Sequence, residues 1–261
     1  MRAISIIDAT LPALHQTNCK LDLDYCSEWI NTLVSLGVEK IKTAADSLFL
    51  PEAILGFDQA LLGDYLSLFS KLRAGSPPEI AFGDSLGCAT ALGVAWLEEG
   101  GENLLCATSG EAGLPALEAI LIFRHIAGLK LLPPDGGSFK KMRNLYQVLA
   151  GKKVAATQPV IGPAIFAVES GIHVDGLLKD TAIYEPFPPQ LVGASRLLNV
   201  GRHSGRNSIK YKCHQMNLNC PDNFFPELLV EVRNRSTELA RGLTDDEFKN
   251  IYTQFLPASD Q

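Results

Sequence analysis

The sequence predicts an α/β protein in which a truncated β/α barrel is followed by a mostly helical C-terminal subdomain. Three observations favour this fold class. Short apolar runs alternate with amphipathic helical patterns through residues 1–128, which is typical of parallel β/α units. That alternation stops before residue 130, whereas a complete eight-fold barrel needs about 250 residues. Helical and polar patterns then dominate, with a linker helix region at 129–160 and the C-terminal subdomain at 161–261.

The first elements form a β-α-β unit. An apolar run at residues 3–7 predicts a buried strand. Apolar residues at helical spacing over residues 21–36 predict a helix, for which Asp22 or Asp24 offers an N-cap. Residues 38–42 predict the second strand. Such a unit implies parallel pairing of the two strands with a right-handed crossover.

The alternation then continues along the chain, and the region is TIM-barrel-like but incomplete. The tail ends in a helical stretch that begins at Thr244, whose hydroxyl and Glu247 fit a capping box. The other predicted elements are helices at 60–72, 88–98, 115–126, 139–149 and 224–240, with strands at 80–82 and 103–107.

Composition excludes several classes of function. The formal net charge is −6, and binding of nucleic acid relies on clustered Lys and Arg, so no nucleic-acid partner is expected. No stretch approaches the length of a membrane span, and no apolar signal core follows a basic start, so no membrane association is expected. Six scattered cysteines without a signal segment indicate reduced thiols and a cytoplasmic location.

The cysteines do not follow a zinc-ligand spacing. Cys213, His214 and Cys220 make a loose cluster that resembles a metal site. Cysteines outside disulfides more often pack as small apolar groups, which is the favoured interpretation.

The densest cluster of titratable groups lies in the segment 166–176. There His173 stands between two carboxylates, Glu169 and Asp175, in a segment that is too rich in glycine to be an ordinary helix. Such a cluster can do proton chemistry if a carboxylate fixes the tautomer and basicity of the imidazole. The alternative is a surface loop that happens to hold one histidine and two acids.

Three motifs resemble the homocitrate synthase and 2-isopropylmalate synthase family. Residues 166–176 read Phe-Ala-Val-Glu-Ser-Gly-Ile-His-Val-Asp-Gly, residues 184–187 read Tyr-Glu-Pro-Phe, and residues 201–206 read Gly-Arg-His-Ser-Gly-Arg. They occur in the family in the same order. The residues of these motifs resemble the nitrogen-fixation type of homocitrate synthase more than the leucine-pathway enzyme.

The first half also resembles this family, but residues that act in the family's active site are replaced. Family members open with Asp-Thr-Thr-Leu-Arg-Asp-Gly-Glu-Gln, whereas residues 8–16 read Asp-Ala-Thr-Leu-Pro-Ala-Leu-His-Gln, so the family's catalytic Arg is Pro12. Side chains at the positions of the family's four metal ligands lack an oxygen or nitrogen donor, and a divalent ion needs such donors. This chain is therefore expected to bind no family-type metal. The four positions are Ala13, Ala81, Gly83 and Leu114.

The family reaction is a Claisen-type condensation of acetyl-CoA with a 2-oxo acid. In the family, the C-terminal region of one subunit reaches over the barrel mouth of another, where a His and a Tyr act. The resemblance places these roles on His173 and Tyr184, with Glu169 or Asp175 poising the imidazole. A supporting or cofactor-binding role falls on the trio His203, Ser204 and Arg206; a loop-stabilising polar network is the alternative for these three.

The resulting hypothesis is a split enzyme. The chain resembles the omega chain of a two-chain homocitrate synthase that condenses acetyl-CoA with 2-oxoglutarate. It would be inactive alone and would require an alpha-type partner that carries an intact barrel and a divalent metal, Mg or Mn. A non-catalytic regulatory or scaffolding paralogue is the competing hypothesis, and a stand-alone enzyme with Cys or His nucleophiles ranks last.

Overall fold

The computed structural model forms a mixed α/β protein with small parallel sheets, which confirms the predicted α/β class. The chain divides into two compact units, the first comprising Met1–Ile165 with Gln190–Ala194 and the second Phe166–Pro189 with Ser195–Gln261. The structure describes residues 5–16, 22–42, 54–55, 65–75, 79–133, 136–219 and 221–255. Within these residues, no helix is both long and apolar enough to cross a membrane.

Strands and helices alternate through most of the first unit. Its strands are β1 (Ile6–Asp8), β2 (Lys40–Ile41), β3 (Ile54–Leu55), β4 (Ala81–Phe82) and β5 (Leu104–Cys106). Its helices are α1 (Thr10–Gln16), α2 (Leu23–Ser35), α3 (Tyr65–Gly75), α4 (Ala89–Glu98), α5 (Leu117–Ile126) and α6 (Gly137–Ala150).

The strands of the first unit pair in parallel. Strand β1 lies between β2 and β5, with Ile7 opposite both Lys40 and Leu105. Strand β3 pairs with β4, and Ile80, just before β4, forms a parallel bridge to Leu104 in β5. The first strand of the unit thus lies beside its last strand. A truncated TIM barrel as such stays a prediction.

Buried aromatic rings pack helices α3 and α4 against strand β4. Phe69 of α3 lies 5.7 Å from Phe82 of β4 and 5.4 Å from Trp96 of α4, measured between ring centroids. All three side chains are almost fully buried. Because paired aromatic rings add to the free energy gained from burial, this cluster fixes α3 and α4 against β4.

Local signals set the ends of α2. Asp22 is its N-cap, as predicted: one carboxylate oxygen accepts from the backbone N–H groups of Asp24 and Tyr25 at 2.9 and 3.3 Å. Gly37 follows the helix with a φ of +76°, which glycine adopts without strain. The helix predicted within residues 129–160 is present as α6, and it packs against α2.

The second unit is mostly helical around one short parallel strand pair. Its core is an apolar cluster that includes Cys213, which is 2% exposed and packs as a small apolar residue, as expected; Cys220 of the predicted loose cluster lies outside the described residues. The predicted capping box of Thr244 and Glu247 is confirmed. The elements are β6 (Ala167–Val168), α7 (Gly171–Lys179), β7 (Leu197–Leu198), α8 (Arg206–Gln215), α9 (Phe225–Leu239) and α10 (Asp245–Thr253).

The prediction that residues 166–176 are too rich in glycine for a helix is wrong. Helix α7 begins at Gly171, where a glycine occupies the first helical position rather than the interior. An interior glycine costs only about 1 kcal/mol relative to alanine, and Gly176 is the one that α7 holds in its interior. Helices α1 and α8 were not predicted either.

Candidate functional site

His173 and Tyr184 lie against each other in the second unit. Their ring centroids are 4.7 Å apart and their planes are inclined by 64°, an edge-to-face contact. His173 is exposed, and Tyr184 is 43% exposed. The resemblance assigned roles to these two residues separately, and the structure brings them together at the surface.

Gly176 makes this contact possible. It lies three residues after His173 in α7 and therefore on the same face of the helix. A Cβ at this position would lie 2.4 Å from Cε2 of Tyr184, well inside van der Waals contact. The interior glycine of α7 thus has a packing reason, namely the close approach of the Tyr184 ring.

The turn after α7 folds Tyr184 back onto the helix. Asp180 ends α7, and its backbone N–H donates to the carbonyl of Gly176 at 2.9 Å. Its side chain accepts from the N–H of Ala182 at 2.9 Å and so caps the short helical turn Thr181–Ile183. Tyr184 follows that turn directly, so its position depends on a capped, hydrogen-bonded segment.

The structure places the two carboxylates of this segment with other partners. Oε1 of Glu169 accepts from the backbone N–H of His203 at 3.3 Å. The carboxylate of Asp175 pairs with Lys179, one helical turn away, at 2.7 Å. The ring contact that the structure gives His173 is Tyr184, and a role for Glu169 or Asp175 in poising the imidazole stays a prediction. Glu169 is a residue that positions the 201–204 loop.

Ser204 is the centre of that loop. Its side chain is fully buried, and its hydroxyl accepts from the N–H of Gly201 at 2.9 Å and donates to the carbonyl of Glu169 at 3.3 Å. Arg233 donates from Nε and Nη2 to the Ser204 carbonyl at 3.1 and 2.7 Å. These contacts favour the loop-stabilising interpretation for Ser204.

His203 and Arg206 are placed at the surface. Nε2 of His203 accepts from Nε of Arg202 at 2.9 Å. Arg206 pairs with Asp222 at 2.9 Å and lies 5.2 Å over the ring of Phe225. A cofactor-binding role for His203 and Arg206 stays a prediction.

The positions that match the family's metal ligands do not fit a metal in this chain. Ala81 and Leu114 are buried in an apolar cluster with Ile7 and Leu105, and Ala13 is also buried, at 1% exposure. None of these side chains carries a donor atom. Across the described ranges, no group of three or more His, Cys, Asp or Glu side chains could hold a metal ion.

The first unit buries two carboxyl groups that the sequence analysis missed. Asp8 is fully buried at the end of β1, and burial raises its pKa to about 6 although hydrogen bonds from Thr10 and Trp29 oppose the shift. Glu118 is also fully buried, and burial raises its pKa although it accepts from the backbone of Ser109 and from Gln158. An acid directly after the apolar pair Ile6-Ile7 was the available signal for Asp8.

A strained turn connects β5 to α5 beside these groups. Ser109 and Ala112 have φ values of +59° and +55°, a region that residues with a side chain rarely adopt. Between them, Glu111 accepts from the hydroxyl of Tyr146 and pairs with Lys152. Burial and the neighbouring Glu111 carboxylate raise the pKa of Tyr146, so the phenol stays protonated and donates.

Comparisons with known proteins agree with the motifs. Residues 160–238 match the family described as homocitrate synthase post-HMGL domain-like. The chain is 32% identical to the homocitrate synthase omega subunit of Clostridium pasteurianum over 138 residues, which are 53% of this chain and 39% of that protein. It is 31% identical to the homocitrate synthase of Frankia sp. (strain FaC1) over 232 residues, 86% of this chain and 54% of that protein.

A third relative extends the match to another synthase. The chain is 27% identical to the 2-isopropylmalate synthase of Geobacillus stearothermophilus over 240 residues, 86% of this chain and 45% of that protein. The chain spans about half the length of the curated relatives it matches. These relatives are synthases of the condensing, acyltransferase type. These matches support assignment of the chain to the homocitrate synthase and 2-isopropylmalate synthase family, in agreement with the resemblance of its motifs.

Proposed function

We propose that this chain is one subunit of a two-chain homocitrate synthase that condenses acetyl-CoA with 2-oxoglutarate. It supplies His173 and Tyr184 to the active site of a partner chain. The observation that carries the proposal is the exposed His173–Tyr184 contact, which is formed over Gly176. A relative named as a homocitrate synthase omega subunit supports the two-chain arrangement.

The need for a partner follows from the first unit. Buried alanine and leucine side chains stand where the family's metal ligands would be, at Ala13, Ala81 and Leu114. A partner of the alpha type, with an intact barrel, would hold the divalent ion, Mg or Mn. That ion would polarise the carbonyl group of the 2-oxo acid.

The pair offers two groups that the condensation needs. A proton must leave the methyl group of acetyl-CoA before its carbon bonds to the ketone carbon of the 2-oxo acid, and water then cleaves the thioester to release CoA. The imidazole of His173 can accept or return a proton. The phenol of Tyr184 can donate a hydrogen bond to the oxygen on which charge develops.

The surroundings of the pair suit burial against another protein. Ile183 is 58% exposed and Leu197 is 43% exposed. An apolar cavity of about 100 Å³ lies in the same unit, lined in part by Leu177, Thr181 and Leu197. Exposed apolar side chains around polar functional groups are typical of an interaction site.

Substitution of His173 in the reconstituted complex tests the proposal. His173→Ala should abolish most turnover of acetyl-CoA and 2-oxoglutarate while the two chains still assemble, and Tyr184→Phe should reduce it, because acid–base catalysis by one group contributes about 10²–10⁴-fold. His214→Ala is the matched control, since His214 is also exposed but lies in α8.

The partner chain is obtained by co-purification from the native source, and assembly is measured by size-exclusion chromatography. Unchanged turnover in the assembled His173→Ala complex would refute the proposal and favour a regulatory or scaffolding role. Turnover by the wild-type chain alone would equally refute it.

A further inference from the structure

Tyr184 ends a segment whose side chains are all exposed, namely Thr181, Ala182, Ile183 and Tyr184 itself. Hydrogen bonds within the segment fix its local shape: the N–H groups of Tyr184 and Glu185 both donate to the carbonyl of Thr181, at 3.2 and 3.0 Å. The cavity of about 100 Å³, lined in part by Thr181 and Arg196, lies beside it. Because side chains next to solvent or a void make few contacts, packing holds this segment only weakly on the rest of the unit.

Glu185, the next residue, is held by a charged partner. Nε and Nη2 of Arg196 donate to Oε1 and Oε2 of the Glu185 carboxylate at 2.6 and 2.7 Å. The Glu185 side chain is 7% exposed, although that of Arg196 is 38% exposed. Two parallel bonds between a guanidinium and a carboxylate fix direction as well as distance. The Glu185–Arg196 pair therefore restricts where the neighbouring Tyr184 can lie.

The Arg196 side of this pair is attached to the strands β6 and β7. Arg196 directly precedes β7, and the N–H of Leu197 donates to the carbonyl of Phe166, just before β6, at 3.1 Å. The ring of Phe166 also meets the ring of Phe187 edge to face, with the centroids 5.6 Å apart. Residues 185 and 187 are thus both held against the strand pair, one by charge and one by ring packing.

We propose that Arg196, acting through Glu185, is a positioning residue that holds the ring of Tyr184 against His173. The ring contact needs the space that Gly176 leaves on α7, and it also needs a fixed end to the segment that carries Tyr184. The Glu185–Arg196 pair supplies that fixed end. If the proposed function holds, on which this last step rests, Arg196 also sets the orientation in which the Tyr184 hydroxyl donates during the condensation.

NMR of the full chain reads the ring contact without any partner. The ring of Tyr184, 4.7 Å from that of His173, shifts the resonances of the imidazole ring protons. His173→Ala identifies these resonances, and Tyr184→Ala gives their positions when the contact is lost. Arg196→Gln should move them about half of that distance or more. Arg196→Lys, which keeps the charge but not the two-bond geometry, should move them less.

Arg241→Gln is the matched control. Arg241 also donates two bonds to one carboxylate, that of Glu247, at 2.9 and 2.7 Å, and it belongs to the same unit. Its substitution removes the same charge and the same kind of pair, and it should leave the His173 resonances at their wild-type positions. Melting curves show which variants are folded, and Arg196→Lys carries the test if Arg196→Gln is not.

Turnover of the reconstituted complex tests the consequence for catalysis. Arg196→Gln should lower kcat about tenfold with little change in the KM for acetyl-CoA, because it misplaces a group that acts in the transition state. In a Tyr184→Phe complex, which lacks the hydroxyl, the same substitution should cause no further loss, because residues that act as a unit are not additive. A pair that only stabilises the fold would lower turnover by the same factor in both complexes.

Two results would overturn the inference. One is a folded Arg196→Gln chain, or a folded Arg196→Lys chain where Arg196→Gln does not fold, whose His173 resonances stay at their wild-type positions. The other is an equal loss of kcat on Arg196→Gln substitution in the wild-type and Tyr184→Phe complexes. Full turnover by the His173→Ala complex would instead refute the proposed function, and the NMR measurement would still decide whether Arg196 positions Tyr184.

Discussion

Replacing Gly176 by alanine should separate Tyr184 from His173 while leaving the chain folded. The added Cβ would lie 2.4 Å from Cε2 of Tyr184, whereas carbon atoms in contact lie about 3.5–4.0 Å apart, so the ring must move by about 1 Å or more. Tyr184 is 43% exposed, which allows the ring to move into solvent. The lost ring contact costs about 0.5–1.5 kcal/mol, and the better helix propensity of alanine offsets this by about 1 kcal/mol.

Because the two contributions nearly cancel, the melting temperature should stay within about 3 °C of the wild-type value. Turnover of the reconstituted complex should nevertheless fall by about tenfold or more, since a catalytic group displaced by 1 Å is poorly oriented. Gly75→Ala is the matched control, because its added Cβ meets nothing within 4 Å. Wild-type turnover by a folded Gly176→Ala chain would refute the role given to the His173–Tyr184 contact.

Three further predictions concern stability. Burial raises the pKa of Asp8 to about 6 from 3.8, so the folded chain keeps a proton that the unfolded chain releases; as pH rises from about 3 to 7, stability should fall by about 3 kcal/mol relative to Asp8→Asn. Urea unfolding across this range measures the difference, and parallel curves for the two proteins would contradict it. Glu169→Gln should speed hydrogen exchange at the His203 amide, because a neutral amide oxygen accepts more weakly than the carboxylate; unchanged protection would exclude the positioning role. Treatment with a chelator should leave the melting temperature unchanged, and a clear decrease would show a structural metal in this chain.

Local residue patterns predict much of the fold. Asp22 before α2, and Thr244 with Glu247 at α10, form the caps that the sequence indicates. Helices α2, α4 and α9 carry apolar residues at helical spacing, so their positions follow from the order of residues alone.

Features that depend on distant contacts are not predictable in this way. Strands β6 and β7 have two residues each, and their pairing joins Ala167 to Leu197 across a long intervening segment. The glycines of α7 predicted a segment that is not helical. Gly176 is instead explained by its close contact with the ring of Tyr184, which a turn folds back onto the helix, and that contact cannot be seen in the sequence.

The candidate site likewise contains residues that the sequence predicts and contacts that it does not. His173 and Tyr184 were found from motifs, since each stands in a recognisable run of residues. The partner of Glu169 could not be found, because it is a backbone N–H 34 residues away in the 201–204 loop. A carboxylate close in sequence to a histidine is thus a poor guide to its neighbour in space.

Titration of a metal-bearing alpha-type partner with this chain tests the central claim most directly. Homocitrate formation from acetyl-CoA and 2-oxoglutarate is measured at increasing amounts of the chain. The account predicts little or no turnover by either protein alone and a rise that saturates at a fixed ratio of the two. It also predicts that His173→Ala joins the complex without restoring turnover. Full activity of the partner alone, or equal activation by His173→Ala, would contradict it.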